Sequence, residues 1–547
     1  MKTPIFCSLQ PAELLEDMGL ELELLDGDRL FSETHANAAC AFHDNLCPYV
    51  KGVFDHIIKH EKNYEVIVIP TGCDAQKKLH NALLASMDNK KLFLLDFPKI
   101  KTDKAADFLA EVLRELKKRA VKYAAAEIRD PSPVLKKEGK GKIGFVGGNL
   151  PMSIINKILG DYDIEPIFLN HCLMKTLPSQ RGREALSDPS MLEYAKYSLQ
   201  KNSCPRTLDN NYKNELKKEI VSQDLMGVIC LTFKFCDFQT FDYLYLRGDL
   251  PDNFPILLVE HEGSTANEGQ IMTRIQAFVE QLKGIGISTR RTSKKNKYFV
   301  GIDSGSHATK MVCLDADGKI LFRKMVPTGT SIQKSVENLL KEIPGKDFTL
   351  TATGYGRNQI TKADEVITEI TCHAKGVYRT QKIAGTIIDI GGQDSKAINI
   401  GECGQISRFA MNDKCAAGTG RFLEVIAQRL ELTLEDFAKL AIASKNTLPV
   451  SNMCAVFAES EVISMIAKGH NTAEIAKGIH QAIAERTASL VRRINGAPPY
   501  FMTGGVANNP AIIAALSKEL NAKINVMEEP QFSGALGAAM VALEKNS

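Results

Sequence analysis

The chain has 547 residues, 44% hydrophobic and 24% charged, with 68 Lys and Arg against 65 Asp and Glu for a formal net charge of +3. That length implies more than one domain, and the near-balanced charge, with only short basic clusters at 136–142 and 290–297, excludes nucleic acid as a bulk electrostatic partner. No apolar run reaches the roughly 18 residues of a membrane span, and the N-terminus MKTPIFCSLQPAELLEDMG turns acidic without an apolar stretch, so a cytoplasmic protein without a membrane partner is expected.

Residues 1 to about 135 alternate short apolar runs with helical patterns. In LCPYVKGVFDHIIKH, Cys47 precedes Pro48 at a helix start, where proline is sterically well placed. Val66 to Ile69 is a β-branched run that reads as a buried parallel strand. Pro70, Thr71 and Gly72 end it, and Asp74 begins a helix through Lys77, Leu79 and Leu83. Cys73 therefore stands at the carboxyl end of a strand, where open α/β sheets place ligands.

A second α/β lobe opens at Lys142–Asn149, a strand and Gly-Gly turn, with Pro151 starting a helix. A strand from Met226 to Leu231 leads to a loop carrying Cys236 and Asp237. FPILLVEHEG is a further strand, at whose end His261 reads as a surface residue, and IMTRIQAFVEQLKG is an amphipathic helix. The polar, basic stretch 286–297 has the composition of an interdomain linker.

From Tyr298 the pattern becomes strand, Gly-rich turn, strand, turn, strand, with Asp315-Ala316-Asp317-Gly318 as a hairpin signal. GTIIDIGGQDSKAINIGECGQISRFAMN repeats it, which predicts two similar lobes offering turns to one ligand. The turns Asp303-Ser304-Gly305-Ser306 and Asp389-Ile390-Gly391-Gly392 suit phosphate, because glycine lets backbone N–H groups approach its oxygens. Asp303 and Asp389 supply hard oxygen ligands for Mg²⁺, and Gln393 can orient an attacking water. FMTGGVANNPAI gives a strand, Gly504 and Gly505, then a helix, a cradle for an adenosine. The candidate ATP-binding set is thus Gly305, Ser306, Lys310, Gly391, Gly392, Gly504, Gly505 and Asn508, with Asp303, Asp389 and Gln393 as catalytic candidates.

Thirteen cysteines in a cytosolic chain do not imply disulfides. Cys313 in a strand pattern and Cys403 in the turn GECGQ read as ordinary residues, whereas Cys47, Cys73, Cys236, Cys415 and Cys454 lie in turn-like positions. Cys415 and Cys454 each precede a run with helical apolar spacing, Phe422, Val425, Ile426 and Leu430 after the first, Phe457, Ile463 and Ile466 after the second. A helix dipole there favours the thiolate that binds metal. Two thiolates are too few for an iron–sulfur cube, which takes four, and a symmetric dimer brings two pairs together.

The motifs GIDSGSHATK, TATGYGR, EITCHAKG, IIDIGGQDSK, MNDKCAAGTGRFLE and SNMCAVFAESEVIS closely resemble those of the activators of 2-hydroxyacyl-CoA dehydratases and benzoyl-CoA reductases, in the superfamily of actin, heat-shock ATPases and sugar kinases. His307 departs from the smaller hydroxyl residue expected in the first turn. The resemblance implies a homodimer holding one 4Fe–4S cluster through Cys415 and Cys454 of each chain. It also implies ATP-driven transfer of a low-potential electron, taken from a ferredoxin or flavodoxin, to an iron–sulfur cluster in the N-terminal domain or in a dehydratase or reductase partner. Residues 1–285 resemble the cluster-bearing subunits of those enzymes and double-cubane cluster proteins through LCPYVKG, PTGCDAQKKL, FKFCD and EGQIMTRIQAF. By that resemblance Cys47, Cys73 and Cys236 are ligands of a second cluster, 4Fe–4S or double cubane, with Cys40, Cys172 and Cys204 as further candidates.

The expected fold is α/β throughout. A two-lobed dehydratase-subunit-like domain with parallel sheets covers 1–285, with lobes of about 1–135 and 142–285. The linker 286–297 and a two-lobed actin-like and sugar-kinase-like ATPase domain over 298–547 follow. Two other readings stand beside electron transfer: a small-molecule kinase on the same fold, which lacks a strong candidate base, and a nucleotide-switched scaffold without enzymatic activity.

Overall fold

Every residue of the apolar run Ile67–Pro70 is buried, and like each strand pair in the first half of the chain among the described residues it pairs in parallel. The computed structural model describes residues 2–7, 9–30, 38, 41–42, 46–120, 141–148, 150–160, 162–171, 180–187, 191–201, 211–251, 253–262, 268–284, 296–345, 347–412, 418–450 and 455–545. The chain divides into two units, Met1–Gln276 and Ala277–Ser547. No helix of the described residues is long and apolar enough to cross a membrane.

In the first unit β1 (Lys2–Ile5) pairs with β2 (Glu21–Leu24), and β3 (Ile67–Pro70) with β4 (Leu92–Leu95). A four-stranded parallel sheet follows from β5 (Gly141–Gly147), β6 (Ile164–His171), β7 (Gly227–Phe233) and β8 (Ile256–His261), in the order β6-β5-β7-β8. Helices α1 (Pro48–Lys59) and α2 (Asp74–Ser86) begin where the sequence predicts, whereas Asp237, expected in a loop, opens α3 (Asp237–Asp249); their N-caps are Cys47, Cys73 and Cys236. Phe233 and Cys236 are buried in the same apolar cluster as Val53, Phe54 and Ile57 of α1, and the Tyr49 and Phe233 rings lie 5.2 Å apart. His261 is not a surface residue: it is buried with its ring 4.4 Å from that of Phe233, because β8 pairs with β7 along its whole length.

Helix α4 (Glu268–Lys283) leaves this unit, and its residues from Ala277 onward belong to the second. The expected linker 286–297 lies outside the described residues except at its last two positions.

The second unit is a structural repeat. Strands β9 (Tyr298–Ser304), β10 (Ala308–Leu314), β11 (Ile320–Pro327), β12 (Phe348–Thr353) and β13 (Glu365–Val366) form a sheet in the order β11-β10-β9-β12-β13. Strands β14 (Gly385–Ile390), β15 (Ser395–Ile400), β16 (Ile406–Asn412), β17 (Tyr500–Thr503) and β18 (Ile524–Val526) form another, in the equivalent order β16-β15-β14-β17-β18. In each, the first three strands are antiparallel and the last two parallel to the first. The Asp315–Gly318 hairpin forms as predicted, with Gly318 N–H donating to Asp315 O at 3.1 Å. Helix α5 (Glu369–Gln381) connects the lobes; α6 (Gly420–Arg429), α7 (Ala455–Ala467), α8 (Thr472–Arg493) and α9 (Pro510–Glu519) belong to the second lobe, and α10 (Ser533–Glu544) returns to pack on β9, β12 and α5. The apolar side chains that fill these layers each contribute about 1.5–3 kcal/mol on burial.

Candidate functional site

Each lobe carries a buried aspartate as the penultimate residue of its first strand and sets a lysine opposite it on the second. Asp303 of β9 is in register with Lys310 of β10, and Asp389 of β14 with Lys396 of β15. The Nζ–Oδ2 distances are 3.3 and 3.2 Å. The turns between the paired strands close identically: Gly305 N–H donates to Ala308 O at 3.1 Å, and Gly391 N–H to Asp394 O at 2.9 Å.

The repeat extends to glycines at the ends of the fourth strand of each lobe. Gly354 after β12 and Gly504 after β17 have φ of +87° and +84°, and an added Cβ would stand 2.4 Å from Asp303 Oδ1 in one lobe and 2.8 Å from Asp389 Oδ1 in the other. Only glycine adopts this backbone without penalty and lets it approach the carboxylate so closely.

Charge is distributed unequally between the lobes. Lys310 is partly accessible, and Asp303 beside it holds its amine above the ordinary lysine range. Lys396 is only 2% exposed and faces Asp394 at 2.7 Å, Asp389 at 3.2 Å and Glu369 at 3.4 Å. Burial opposes its charge, but these carboxylates outweigh burial and raise its pKa. One cation cannot balance three anions. Burial pushes Glu369, the most distant of them, up to about 7 against the pull of Lys396. Burial also disfavours ionised Asp389, but His373, Lys396 and the Thr503 hydroxyl, which donates to Asp389 Oδ1 at 2.9 Å, bring it down to about 2.

His373 of α5 joins the lobes. Its Nδ1 lies 3.2 Å from Thr503 Oγ1 and 3.7 Å from Asp389 Oδ1. A Cβ at Gly534 would sit 3.1 Å from His373 Nε2 and 3.2 Å from Asp303 Oδ2, so the imidazole and the first-lobe carboxylate converge on that glycine. The two turns also face each other: a Cβ on Gly392 would meet His307 Nδ1 at 2.9 Å. His307, the departure in the first turn, hydrogen-bonds Ser306 Oγ at 3.0 Å and lies 3.9 Å from Glu424 of α6.

The structure brings the sequence-predicted residues Asp303, Lys310, Asp389, Gly391 and Gly392 to the neighbouring strand ends and turns of the two lobes, and Gly305 and Ser306 form the first turn. Gln393 is exposed at the tip of the second turn. Gly505 and Asn508 begin and end a 3₁₀ turn between β17 and α9, and nothing lies within 4 Å of a Cβ built on the exposed Gly505. Sequence reasoning missed Lys396, Glu369, His373, Thr503 and Gly354. The lysine was detectable, since both lobes separate aspartate and lysine by seven residues.

The second turn is wired to the helix that follows Cys415. Gly420 N–H donates to Gly391 O at 2.8 Å, and Arg421 N–H to Gly392 O at 3.0 Å. Helix α7, which starts at the residue after Cys454, packs on α6. Cys415 and Cys454 themselves lie outside the described residues, as do Cys40, Cys172 and Cys204.

Two buried carboxylates beside phosphate-type turns fit Mg²⁺, which usually takes one or two carboxylates together with substrate phosphates. Among the described residues no three His, Cys, Asp or Glu side chains form a group that could hold a metal ion, so Cys47, Cys73 and Cys236 are not gathered into a ligand set here. Each caps a helix N-terminus, and the ends of β3 and β7 lead to Cys73 and Cys236.

The duplicated sheets, each with a Gly-containing turn beside a buried aspartate, form a two-lobed α/β domain. Residues 300–542 match the model of the BadF/BadG/BcrA/BcrD ATPase family, to which this chain belongs. Residues 7–132 and 172–282 match that of the 2-hydroxyglutaryl-CoA dehydratase D-component. The activator of lactoyl-CoA dehydratase from Anaerotignum propionicum is 46% identical over 253 residues, 45% of this chain and 98% of the relative. The (R)-2-hydroxyglutaryl-CoA dehydratase activating ATPase of Acidaminococcus fermentans is 43% identical over 256 residues, again 45% and 98%. A solved activator of 2-hydroxyisocaproyl-CoA dehydratase from Clostridium difficile, with bound ADPNP, is 40% identical, covering 46% of this chain and 95% of that one with a TM-score of 0.43.

Proposed function

We propose that the second unit binds and hydrolyses ATP between its two turns and uses the cycle to drive a low-potential electron from a 4Fe–4S cluster, held by Cys415 and Cys454 of two copies of the chain, into a dehydratase- or reductase-type acceptor. The acceptor is a second iron–sulfur centre, either in the first unit or in a separate partner enzyme. A reduced ferredoxin or flavodoxin restores the electron. The cluster's chemistry is reversible one-electron transfer at a potential tuned by its surroundings.

The observation that carries this reading is the pair of hydrogen bonds from Gly420 and Arg421 to the carbonyls of Gly391 and Gly392. A phosphate held by that turn is one peptide away from the helix that follows Cys415. Lys310 and the turn N–H groups bind phosphate, Asp303 and Asp389 hold Mg²⁺, and Gln393 orients the attacking water, so that the β–γ bond breaks to give ADP and inorganic phosphate. Removal of the γ-phosphate releases the second turn and lets α6 shift as a rigid element. Exposed Ile463 and Ile466 on α7, 48% and 43% accessible just beyond Cys454, supply an apolar face for the second copy.

The test is purification without oxygen, followed by iron counting and ATPase assays on the full chain. Cys415→Ala and Cys454→Ala are expected to lose iron while still hydrolysing ATP. Hydrolysis that requires a small-molecule acceptor, with no bound iron after reconstitution, favours a kinase instead.

A further inference from the structure

Helix α4 is covalently shared. Residues 268–276 belong to the first unit and 277–283 to the second, where they dock at three points. Ala277 is fully buried in a cluster with Ile370, Ala374 and Val377 of α5 and Met411 of β16. Glu280 is 1% exposed, and its carboxylate accepts from Thr368 N–H at 3.1 Å, from Thr371 Oγ1 at 2.6 Å and from Thr368 Oγ1. Gln281 Nε2 donates to Ser407 O of β16 at 2.8 Å.

These contacts are selective. Thr368 is the N-cap of α5, whose first turns carry Glu369, 3.4 Å from Lys396, and His373, 3.7 Å from Asp389. Strand β16 ends at Asn412, three residues before Cys415. So the end of α4 grips both the helix that contacts the hydrolytic carboxylates and the strand that leads to the cluster cysteine. A buried carboxylate in an apolar setting is costly unless donors surround it, and apolar packing alone would have sufficed to dock a helix. Three donors from one helix N-terminus make Glu280 sensitive to small displacements of α5, since such bonds weaken steeply with distance and angle.

We infer that Glu280 is a positioning residue that couples α5 to α4, so that the nucleotide state of the ATPase cleft reaches the first unit as a displacement of α4. A helix is stiff along its hydrogen-bonded axis, so movement imposed at Glu280 is transmitted to residues 268–276 within the same helix. The inference rests on the nucleotide reading proposed above.

Hydrogen–deuterium exchange on the full chain tests it, without nucleotide and with Mg–ADPNP. In the wild type, ADPNP is expected to slow exchange in both turns, 303–308 and 389–394, and to change exchange at 268–276. In Glu280→Gln, protection of the turns persists and the response at 268–276 falls at least fivefold. A wild-type response confined to the turns, or a full response at 268–276 in Glu280→Gln, overturns the coupling while leaving ATP binding intact. Absence of protection at the turns overturns the nucleotide reading and this inference with it. Should Glu280→Gln not fold, Gln281→Ala takes its place: a weakened response at 268–276 supports the coupling, and an unchanged one refutes it.

Discussion

Lys396 and Asp389 face each other across two antiparallel strands with 3.2 Å between Nζ and Oδ2, and the lysine is almost wholly buried. Lys310 and Asp303 repeat the pair at 3.3 Å in the first lobe, but there the lysine is partly accessible. The same strand register thus yields a buried charge clamp in one lobe and a partly accessible ion pair in the other.

Removing the buried cation leaves Glu369, Asp389 and Asp394 uncompensated. Lys396→Met is expected to destabilise the second unit by about 3–5 kcal/mol, the usual penalty for breaking a buried pair from one side. Lys310→Met is expected to change stability by about 1 kcal/mol or less while weakening ATP binding. Denaturant unfolding of both variants, with and without ATP, separates the two roles.

In the function proposed above, ATP hydrolysis depends on Asp303 and Asp389. Asp303→Asn and Asp389→Asn are each expected to lower kcat for ATP hydrolysis about 10²–10³-fold, as removal of preorganised charge stabilisation does elsewhere. Gln393→Ala is expected to lower it without weakening binding of ADPNP. Steady-state ATPase kinetics alongside calorimetric titration of ADPNP check both.

Gly504→Ala places a methyl group 2.4 Å from Ile390 O and 2.8 Å from Asp389 Oδ1, on a backbone with φ of +84°. The expected result is a loss of about 1–3 kcal/mol from local strain, together with a fall in kcat as Asp389 is displaced. Gly354→Ala repeats the experiment in the first lobe, against Asp303.

Opposite pH windows follow from two carboxyls. Glu369 is raised by burial to about 7 from an ordinary 4.5, so the folded state holds its proton more tightly than the unfolded. Its contribution to stability is complete below the unfolded value and is lost as pH rises through about 7. Asp389, lowered to about 2, contributes above its ordinary 3.8 and loses that contribution on acidification. Wild type is therefore expected to lose more stability than Glu369→Gln between about pH 5 and about pH 8, and more than Asp389→Asn on acidification below about pH 4. Unfolding midpoints across that range check both signs.

The turns were legible in the sequence because they are local: an apolar strand, Asp-x-Gly and a second strand, twice over, fix both aspartates without tertiary knowledge. Lys396 was half legible through its seven-residue spacing from Asp389. Glu369, His373 and Glu280 were not, since they reach the site or brace it only when α5 packs across the strands and α4 docks on α5. Ile463 and Ile466 fit the helical apolar spacing that follows Cys454, and both are exposed. A single subunit cannot distinguish an apolar core position from an interface position, because both have the same periodicity.

Ile466→Glu places a charge on that exposed face. The proposed dimer is expected to dissociate into monomers, with a shift of at least tenfold in the midpoint concentration measured by analytical ultracentrifugation. Asp303→Asn, which leaves that face intact, should sediment as the wild type does.

The most direct measurement of the central claim is the iron content and electron paramagnetic resonance of the anaerobically reconstituted, reduced full chain, compared with Cys415→Ala, before and after addition of Mg–ATP. The account predicts that the substitution removes about four iron atoms per pair of chains. It also predicts that the wild-type signal lost in the variant changes on nucleotide binding, while Cys415→Ala still hydrolyses ATP. Equal iron in both proteins, or a Cys415-dependent signal indifferent to nucleotide, would contradict the coupling of the phosphate turns to the cluster.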